Sequence, residues 1–415
     1  MIFSIVFWAC LVCLVYTLAL FPALLLLRRL FRPRPYQVAD ITPSASVVIA
    51  AYNEVHSIGA KLDNMLALNY PDDCLEIIVA SDGSDDGTDE VVRRYSDRGV
   101  RLLSLPRQGK AAALNAAVSE AQGEILVFSD ANSMYASDAI RALVRPFADP
   151  DVGGVAGNQQ YLSKQDGSVD NAGERGYWQI DRLLKRLQSD AGNTISATGA
   201  IYAIRKSLFR PVPPGVTDDF VTSTRIIAAG FRLVFAADAI AYEPVASSSN
   251  REFGRKVRIM TRGLRAVLTM RELLNPFRFG FYAVQLFTHK VLRRVIVLPL
   301  LLLFVASLFL WQESLFYLVA LALQIAFYGC ALLGFLFRSS RLGQLKPFAI
   351  PYFVCMVYAA ALVAIFNTIT GRRIDRWNPQ RQSTDESSSD TGLSVGRSSN
   401  DAVRGYAASI ETRSE

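Results

Sequence analysis

Four long apolar segments constrain this chain more than any other feature of its sequence. They cover residues 2–27, 295–310, 315–337 and 348–366, and no charged residue interrupts them. A helix needs about 20 apolar residues to cross roughly 30 Å of hydrocarbon. Each segment is therefore predicted to form a membrane-inserted helix, although the second has barely the length to span. These segments also explain why 51% of the chain is hydrophobic, which is high for a soluble protein.

The first segment is predicted to be an anchor that stays on the protein, not a cleaved signal peptide. No basic stretch precedes it, its apolar run is too long, and no pair of small residues marks a cleavage site. Arginines follow it directly, at positions 28, 29, 32 and 34. Basic residues next to a span favour the cytoplasmic side. We therefore expect an anchor over residues 1–28, in a bacterial inner membrane, with the chain after it in the cytoplasm.

Cysteine, histidine and net charge exclude several classes of function. The five cysteines are scattered, and most of them lie in the apolar segments, so neither a disulfide framework nor a zinc site is expected. With two histidines in the chain, metal or triad chemistry based on histidine is not expected. The net charge is +7, but many basic residues flank the membrane segments, where anionic lipid attracts them. Membrane lipids are thus expected partners, and nucleic acid is not.

Residues 43–250, between the anchor and the other membrane segments, are predicted to form one α/β domain. Runs of apolar and β-branched residues begin at residues 46, 75, 100 and 124, and helical stretches separate them. Such alternation predicts a mostly parallel sheet with helices on both faces. Ligands bind at the carboxyl ends of strands in such sheets. Polar motifs at residues 53–54, 82–86 and 130–132 are therefore expected to converge on one edge.

The chain after this domain is predicted to follow the membrane surface before it enters the membrane. Arginines recur every three to four residues, at positions 255, 258, 262 and 265, which puts them on one face of a helix. Two interpretations remain open: a helix on the membrane surface and a clamp for phosphate groups. Residues 251–293 are accordingly assigned to amphipathic interface helices, and residues 294–370 to three membrane helices.

The C-terminal part of the chain raises a conflict. Three spans after a cytoplasmic domain would leave the C-terminus outside. The basic residues at positions 372, 373, 376 and 381 would then violate the positive-inside rule. Either one apolar segment is not a simple span, or the rule is overridden here. Residues 380–415 are rich in Ser, Asp and Arg without periodicity and are predicted to be disordered.

The motifs of the soluble region, in their order, closely resemble the membrane-embedded family 2 glycosyltransferases. The resemblance covers about residues 44–270 and rests on SVVIAAYNE (46–54), ASDGSDDGT (80–88), GKAAALNAA (109–117), FSDANS (128–133), TGAIYAIRK (198–206) and TDDF (217–220). The family includes cellulose, hyaluronan, chitin-oligosaccharide and poly-N-acetylglucosamine synthases and ceramide glucosyltransferases. It implies a GT-A-like nucleotide-sugar-binding domain, a nucleotide-diphosphate-sugar donor, Mg or Mn, and inversion at the anomeric carbon.

The resemblance places the donor at the ends of the first strands. It implies that the nucleotide is contacted by Ala51, Tyr52, Asn53, Glu54 and Asp82. Lys110 corresponds to a position near the diphosphate, where an ammonium offsets negative charge. Without the neighbouring motifs, residues 81–88 would suit a solvated Asp/Gly turn, and Lys110 would suit the surface.

A metal site is implied at the end of the fourth predicted strand. Asp130 corresponds to the first Asp of the family's metal-binding Asp-x-Asp, and Asn132 stands where the second Asp is expected. Mg and Mn prefer oxygen ligands and often share their coordination with waters and substrate phosphates. One carboxylate, an amide oxygen and the donor phosphates are therefore expected to hold the ion. The neutral Asn132 should weaken metal binding when the donor is absent.

Residues 217–220 correspond to the family's catalytic stretch. An inverting transfer needs a base that takes the proton of the attacking acceptor hydroxyl, and the resemblance assigns this role to Asp219. Asp218 adds a like charge, which we expect to raise the pKa of Asp219. The alternative for this pair is a helix N-cap, a role that Thr217 or Asp218 could fill without displacing Asp219.

One motif of the processive synthases is missing. Their Gln-x-x-Arg-Trp is replaced here by Arg-Lys-Val-Arg-Ile at residues 255–259. Arg255 and Arg258 remain candidates for contacting the donor diphosphate, but Ile259 offers no aromatic platform for a sugar. Trp178 could contact the acceptor in its place or could belong to the core, and both alternatives stay open.

These observations predict an inverting, metal-dependent glycosyltransferase at the cytoplasmic membrane face. Its donor is expected to be UDP-linked, and its acceptor lipid-linked or polysaccharide, in cell-surface polysaccharide or glycolipid biosynthesis. The missing motif favours single transfer over a processive synthase that extrudes its polymer, for which a homodimer could supply the channel. A non-catalytic scaffold that binds a nucleotide sugar or lipid is the alternative of another class. Asn132 favours the scaffold, whereas Asp82, Asp130 and Asp219 argue against it.

Overall fold

The computed structural model describes residues 1–162, 169–244, 249–338 and 340–372, with side chains described except at residues 162, 169–179, 244 and 249–252. The tail that the sequence predicts to be disordered, residues 380–415, lies outside the described residues.

The strands of the soluble domain form one eight-stranded sheet in the described part of the chain. They are β1 (Ala45–Ala51), β2 (Leu75–Asp82), β3 (Val100–Leu105), β4 (Ile125–Asp130), β5 (Met134–Tyr135), β6 (Val152–Leu162), β7 (Tyr202–Arg205) and β8 (Arg232–Pro244). Their order across the sheet is β3-β2-β1-β4-β7-β6-β8-β5. The first four strands along the chain are parallel neighbours, as their alternation with helices predicts.

The other half of the sheet is mixed. β7 runs antiparallel to both β4 and β6, β5 runs antiparallel to β8, and β6 and β8 are parallel. The predicted α/β domain with a parallel sheet is thus confirmed for β1 to β4, while the rest departs from it. The antiparallel strands β5 and β7 span two and four residues, too few to reveal a two-residue period in the sequence.

The helices surround this sheet and continue into an apolar bundle. They are α1 (Ile2–Val15), α2 (Phe21–Phe31), α3 (Ile58–Leu66), α4 (Thr88–Arg93), α5 (Lys110–Glu120), α6 (Ala139–Val144), α7 (Val169–Asp190), α8 (Asp218–Ala228), α9 (Ser249–Thr269), α10 (Pro276–Phe279), α11 (Phe281–Leu286), α12 (Arg293–Val295), α13 (Val297–Leu310), α14 (Leu315–Leu336) and α15 (Lys346–Ile369). π-helical turns, Tyr16–Leu20 and Phe287–Leu292, join α1 to α2 and α11 to α12.

The sheet separates two apolar cores. Val47 and Ile49 of β1 face a core that includes Leu62 of α3. Val48, pointing the other way, faces a core that includes Leu114 of α5. All residues of β1 are buried, because a parallel strand covered by helices on both faces has no solvent-facing side. This explains the uninterrupted apolar run that marks β1 in the sequence.

Three of the predicted membrane segments form helices that are long and apolar enough to cross a membrane, within the described ranges. They are Ile2–Phe31, Leu315–Leu336 and Lys346–Ile369. The remaining segment, α13, qualifies only together with Phe281–Val295, from which it is bent by 53°. Its 14 residues are fewer than a straight crossing needs, in line with the barely sufficient length seen in the sequence.

The first membrane helix packs against α13 and the start of α14. Phe3 and Phe309 stack at 4.2 Å between ring centroids, so the far end of α13 lies beside the N-terminus. Trp8 and Phe316 stack at 5.4 Å, which places the start of α14 at the same end. These contacts therefore join α1, α13 and α14 in one bundle.

The end of α15 lies next to the soluble domain. Arg265 of α9 donates to the carbonyl oxygen of Gly371 at 2.7 Å, and Arg262 of the same helix donates to the carbonyl oxygen of Val216 at 2.8 Å. A simple third crossing would carry the end of α15 to the side away from the domain. The contact therefore favours the first resolution of the sequence conflict, in which one of the apolar segments is not a simple span.

The anchor is joined to the domain through α7. Leu25 of α2 is fully buried in a cluster with Leu184 and Leu187. At the end of α7, Asp190 forms an ion pair with Arg29 at 2.9 Å. The domain is thus held directly against the membrane-inserted part of the chain.

Candidate active site

The carboxyl ends of β1, β2 and β4 lie side by side and carry the polar motifs. Ala51 of β1 pairs with Ser81 of β2, and Ala50 pairs with Asp130 of β4. Parallel strands in this register end at the same level, so the turns that follow them meet. Ala51 itself is buried and can offer this edge only its backbone. The convergence of the three motifs predicted from the sequence is therefore present.

The turn after β1 is locked to the loop after β2. Asn53 adopts a positive φ of 54°, a conformation that Asn tolerates better than most residues. Its side chain donates to Asp85 at 2.7 Å and accepts from the backbone N–H of Asp85 at 3.0 Å. Glu54 is half-buried, and burial, reinforced by the carboxylates of Asp130 and Asp86, raises its pKa. Glu54 thus lies within electrostatic reach of the predicted metal ligand.

Asp82 is buried and fully engaged by the loop after β3. Its carboxylate accepts from the backbone N–H groups of Gln108 and Gly109, each at 2.8 Å. It also forms an ion pair with Arg107. The carboxylate expected at the nucleotide therefore fixes the start of α5 in this state.

Arg107 is a site residue that the sequence analysis missed. Its guanidinium lies 3.2 Å from the ring centroid of Tyr52 while it pairs with Asp82. It thus fills the space between two residues that the family resemblance assigns to the nucleotide. Its position two residues before Gly109, after a predicted strand, is the signal that could have identified it.

Lys110 connects the predicted metal motif to the predicted catalytic pair. Its Nζ is 2.6 Å from Oδ1 of Asp130 and 3.2 Å from Oδ2 of Asp218. Burial by itself would lower the pKa of Lys110, but the carboxylates of Asp130 and Asp218 outweigh it and hold that pKa well above its usual value. Lys110 is therefore a permanent cation that joins residues 88 positions apart in the chain.

Asp130 is pressed against the backbone of residues 198–200. A Cβ on Gly199 would stand 2.9 Å from Oδ2 of Asp130, so this glycine allows the carboxylate its position. The TGA sequence before β7 was recognised as part of the family resemblance. Its physical role here is to leave room for the carboxylate of Asp130.

The residues around Asp130 fit a divalent ion only as a shared site. Within the ranges that the structure describes, no group of three or more His, Cys, Asp or Glu side chains is arranged to hold a metal ion. Asp130 and Asn132 are two residues apart on a turn that is half open to solvent. They could supply a carboxylate and an amide oxygen, and phosphate and water oxygens would complete the shell of such a hard cation. The expectation that the donor is needed for tight metal binding stays a prediction.

A buried polar network, also missed from the sequence, supports the turn at residues 130–133. Lys61 of α3 is fully buried, donates to Ser129 at 2.7 Å and also donates to the carbonyl oxygen of Ser133. Burial lowers the pKa of Lys61 to about 7. Ser133 in turn donates to Glu243 of β8, whose pKa burial and the charge of Asp130 raise to about 7. In the sequence, Lys61 falls on the apolar face of α3, which was the available signal.

Asp218 and Asp219 form the first turn of α8. Asp219 accepts a hydrogen bond at 2.8 Å from the backbone N–H of Phe220. Burial, reinforced by the neighbouring charge of Asp218, raises the pKa of Asp219 to about 6. Burial alone would also raise the pKa of Asp218, but Lys110 and Arg262 outweigh it and lower that pKa. The pair thus contains one carboxylate held ionised and one whose pKa lies near neutrality, as a general base requires.

The arginines of α9 do not act as one uninterrupted clamp. Arg262 donates to the carbonyl oxygen of Val216, just before the catalytic pair, and Arg265 contacts the end of α15. Arg255 and Arg258 are half-buried on the same helix, and burial lowers the pKa of Arg258. Their contact with a donor diphosphate stays a prediction. The membrane-surface helix and the phosphate clamp therefore both stay open as interpretations of α9.

Residue 178 lies in α7, Val169–Asp190. The side chain of Trp178 is outside the described residues, so its role as an acceptor contact or as part of the core stays a prediction. The contacts given above link Tyr52 to Asp82 through Arg107, and Asp130 to Asp218 through Lys110.

Comparison with known sequences gives the same family. The sequence profile described as "Glycosyltransferase like family 2" matches residues 43–266, more than half of the chain. The poly-beta-1,6-N-acetyl-D-glucosamine synthase of Staphylococcus epidermidis is 30% identical over 204 residues, which are 48% of this chain and 48% of the relative. The protein of that name from Staphylococcus aureus strain COL is 28% identical over 216 residues, 50% of each chain. The chain thus spans about half the length of the curated relatives it matches.

Comparison with solved structures identifies the fold. The mannosyltransferase PcManGT from Pyrobaculum calidifontis, in complex with GDP-Man and Mn2+, superposes with a TM-score of 0.67 and 24% sequence identity, over 89% of this chain and 100% of that one. At this identity the likeness concerns the fold, which is GT-A-like with a mixed sheet. Together with the profile match over residues 43–266 and the strand-end motifs, it establishes that this chain belongs to glycosyltransferase family 2.

Proposed function

We propose that this enzyme transfers a sugar from a nucleotide-diphosphate sugar, with UDP as the expected nucleotide, to a lipid-linked or polysaccharide acceptor at the membrane. The observation that carries the proposal is the position of Lys110 between Asp130 and Asp218. This contact joins the strand-end metal motif to the catalytic pair in one site, where donor and base can meet. The names of the relatives, poly-beta-1,6-N-acetyl-D-glucosamine synthases, support a role in polysaccharide biosynthesis.

In this proposal Asp219 is the general base of an inverting displacement. The acceptor hydroxyl oxygen forms a bond to the anomeric carbon, and the bond from that carbon to the donor diphosphate breaks. The hydroxyl proton passes to Asp219, and the nucleoside diphosphate leaves with the bonding electron pair. A pKa of about 6 keeps most of the Asp219 carboxylate ionised at neutral pH, while leaving it basic enough to accept the proton.

The donor edge would bind the nucleotide and its diphosphate. Tyr52 offers an aromatic face and Asp82 a carboxylate, both now engaged by Arg107. Mg or Mn, held by Asp130 and Asn132 together with the donor phosphates, would neutralise the charge of the leaving diphosphate. Mn2+ is present in the PcManGT complex, which supports this choice of ion. Lys110 then has to exchange one carboxylate partner for phosphate oxygens when the donor binds.

The catalytic domain is proposed to face the cytoplasm of a bacterial cell. The arginines that follow the first membrane helix support this orientation, and the contact between Arg265 and Gly371 supports a C-terminus on the same side. Accessible-cysteine labelling of intact cells can test it with one cysteine at exposed Asp97 and one at position 390. Both sites should be protected in intact cells and labelled after lysis. Labelling of either site in intact cells would contradict the orientation.

Transfer is tested with full-length protein purified in detergent. UDP-GlcNAc, UDP-Glc, UDP-Gal and GDP-Man, each radiolabelled in the sugar, are incubated with Mn2+ or Mg2+ and membrane extract. Labelled products are then separated into lipid and polymer fractions. We expect metal-dependent release of nucleoside diphosphate with at least one donor, and label in the lipid fraction. A labelled polymer would instead favour the processive alternative, with its channel in a homodimer.

The role of Asp219 is tested by Asp219→Asn, with Asp97→Asn at an exposed position as the matched control. Loss of a general base lowers the rate by about 10²–10⁴-fold. We expect this loss for Asp219→Asn and unchanged transfer for Asp97→Asn. Equal nucleotide release by the wild type and Asp219→Asn, or none from the wild type with any donor, would overturn the proposed function.

A further inference from the structure

Lys290 occupies the point where the chain passes from the domain to the apolar bundle. It belongs to the π-helical turn Phe287–Leu292, which leads through α12 to α13. The chain bends by 53° between Phe281–Val295 and Val297–Leu310. The side chain of Phe287, in the same turn, is 48% exposed and offers apolar surface next to the charge. A cation beside exposed apolar surface is a setting that suits an amphipathic ligand.

The same lysine reaches the catalytic pair from the membrane side. Its Nζ lies 5.7 Å from the ring centroid of Phe220, the residue that follows Asp219. The charges of Lys290 and Lys110 both act on Asp219. Lys110 comes from the donor edge, where it also contacts Asp130. Asp219 therefore lies between one lysine on the donor side and one on the membrane side.

The charges around Lys290 leave it without a matched counter-ion. The carboxylates that act on it are Asp181 and Asp219, whereas Lys185 and Arg294 add positive charge. Asp181 is already paired with Lys185 at 3.2 Å. Within the described ranges, no carboxylate oxygen lies within 4.0 Å of Nζ of Lys290. Burial lowers the pKa of Lys290, because desolvated charge is costly unless it is paired. A bound anion would favour the charged form of this lysine.

Buried polar side chains hold the wall of this region in place. Gln188 contacts Nδ1 of His289 at 3.1 Å and accepts from the backbone N–H of Ile195 at 3.1 Å. Tyr16 and Thr288 share a hydrogen bond of 3.0 Å that connects the two π-helical turns. π-Helical turns within helices are frequent at functional sites. The lysine thus stands on a rigid support and not on a surface loop.

We propose that Lys290 binds the phosphate group of the acceptor, which is therefore a lipid phosphate or diphosphate whose sugar hydroxyl is presented to Asp219. The inference rests on the proposed transferase function and adds the chemical class of its acceptor. In an inverting displacement the acceptor enters opposite the leaving diphosphate. The anion that Lys290 binds is therefore not the donor diphosphate, which lies near Lys110. Phe287 and the adjoining bundle provide apolar surface for the lipid chain.

The site is tested by direct binding in the absence of any nucleotide sugar, so a failed transfer assay does not affect the result. Full-length protein in phosphatidylcholine nanodiscs is titrated with farnesyl diphosphate, farnesol and inorganic pyrophosphate, and binding is followed by thermophoresis. We expect farnesyl diphosphate to bind at least about tenfold more tightly than either fragment. The affinity should also fall as salt is raised, because a charge contact is screened.

Variants assign the contact to Lys290. Lys290→Gln should weaken the binding of farnesyl diphosphate by about tenfold or more, since it removes a hydrogen bond to a charged group. Lys290→Arg should restore most of the affinity because it keeps the charge. The matched control, Lys206→Gln, removes a lysine that contacts the carbonyl oxygen of Ala121, away from this site, and should leave binding unchanged. Thermal unfolding curves of all variants verify that each is folded.

Several outcomes would overturn the proposal. Equal binding of farnesyl diphosphate by the wild type and Lys290→Gln would show that Lys290 does not contact the headgroup. Competition between farnesyl diphosphate and UDP for one site would assign the contact to the donor diphosphate. Loss of binding in nanodiscs that contain phosphatidylglycerol would assign it to ordinary anionic membrane lipid. Only dependence on Lys290 together with indifference to UDP and to phosphatidylglycerol supports the acceptor site.

Discussion

At the donor edge of the sheet Asp82, Asp130 and Asp218 are all ion-paired, whereas across Asp219 the described residues place no carboxylate oxygen within 4.0 Å of Nζ of Lys290. Asp82 is paired with Arg107, and Lys110 serves both Asp130 and Asp218. Across Asp219, the charges of Arg294, Asp181, Lys185 and Asp219 all act on the pKa of Lys290. The two sides of one active site therefore differ in ion pairing.

This difference shows how each side meets its ligand. The donor edge holds its own side chains in place through ion pairs, and a donor with its metal has to replace some of these contacts. On the other side of Asp219, Lys290 forms no ion pair with a described residue, so an anion can bind it without breaking one. A donor diphosphate therefore has to replace existing ion pairs at the donor edge. An acceptor phosphate would instead add a new contact at Lys290.

The largest effect at the donor edge is expected from Lys110→Met, which breaks the pairing there. It leaves Asp130 and Asp218 without their shared cation and removes positive charge from the predicted diphosphate position. Removal of one group that stabilises developing charge costs about 10²–10³-fold in kcat. We expect a loss of this size in nucleotide release, measured with the donor that the screen identifies.

The conservative variant and a matched control make this result specific. Lys110→Arg keeps the charge and should retain most of the activity of the wild type, whereas Lys206→Met should be fully active. Unfolding curves show whether the loss of ion pairs has unfolded Lys110→Met. If folded Lys110→Met releases nucleotide at the rate of the wild type, the donor edge does not depend on this pairing.

The pH dependence of transfer tests the catalytic pair between the two sides. The base acts when ionised, and the pKa of Asp219 is raised to about 6 by burial and by the charge of Asp218. The rate should therefore be full well above pH 6, about half its maximum near pH 6, and should fall further at lower pH. At pH 5 roughly a tenth of the maximal rate should remain.

The variant Asp218→Asn tests whether the charge of Asp218 raises the pKa of Asp219. It removes the neighbouring negative charge, so the pKa of Asp219 should fall and the acidic limb of the rate profile should shift to lower pH by roughly one unit. The profile of kcat against pH for both proteins, each scaled to its own maximum, measures the shift. A limb that stays in place, or moves to higher pH, would show that Asp218 does not raise the pKa of the base.

The donor edge could be predicted from the sequence because its parts are local. Each motif directly follows a strand that reads as an apolar run, so Asp82 and Asp130 were placed by strand ends and by the parallel register alone. Asp218 and Asp219 were recognised through the family resemblance, and their contact with Lys110 joins them to the edge. Arg107 was missed because its role depends on a side chain that reaches back to Tyr52 and Asp82.

The membrane side could not be predicted in the same way. Lys185 and Lys290 lie on helices about a hundred residues apart in the chain, and no repeated spacing connects them. Lys290 looked like one of many basic residues near a membrane segment. Its position beside Phe220 follows from the packing of α7, α8 and the π-helical turn, which is a tertiary property. For the same reason the contact of Arg265 with Gly371 was not visible, although the charge conflict at the C-terminus pointed to it.

A smaller effect is expected for metal binding, which tests whether the donor edge is incomplete without phosphates. The wild type should bind Mn2+ weakly alone and more tightly in the presence of UDP, because Asn132 supplies no charge. Asn132→Asp should increase the affinity for Mn2+ without UDP by roughly fivefold, or about 1 kcal/mol. Isothermal titration with and without UDP measures both effects. Equal affinity of the wild type in the two conditions would contradict this account of Asn132.

The smallest effect is expected for the ion pair between the anchor and the domain, because this pair is partly exposed to solvent. Arg29 and Asp190 are 2.9 Å apart, with 41% and 32% of their side chains exposed. Solvent screens such a pair, so Arg29→Ala should lower the free energy of unfolding by only about 0.5 kcal/mol.

Arg98→Ala removes the exposed pair with Asp63 and provides a matched control of similar size. Chemical unfolding of both variants in the same detergent compares them. A loss for Arg29→Ala several times larger than for Arg98→Ala would mean that the anchor is held by charge as well as by the burial of Leu25. Charge pairing would then stabilise this joint as it stabilises the donor edge.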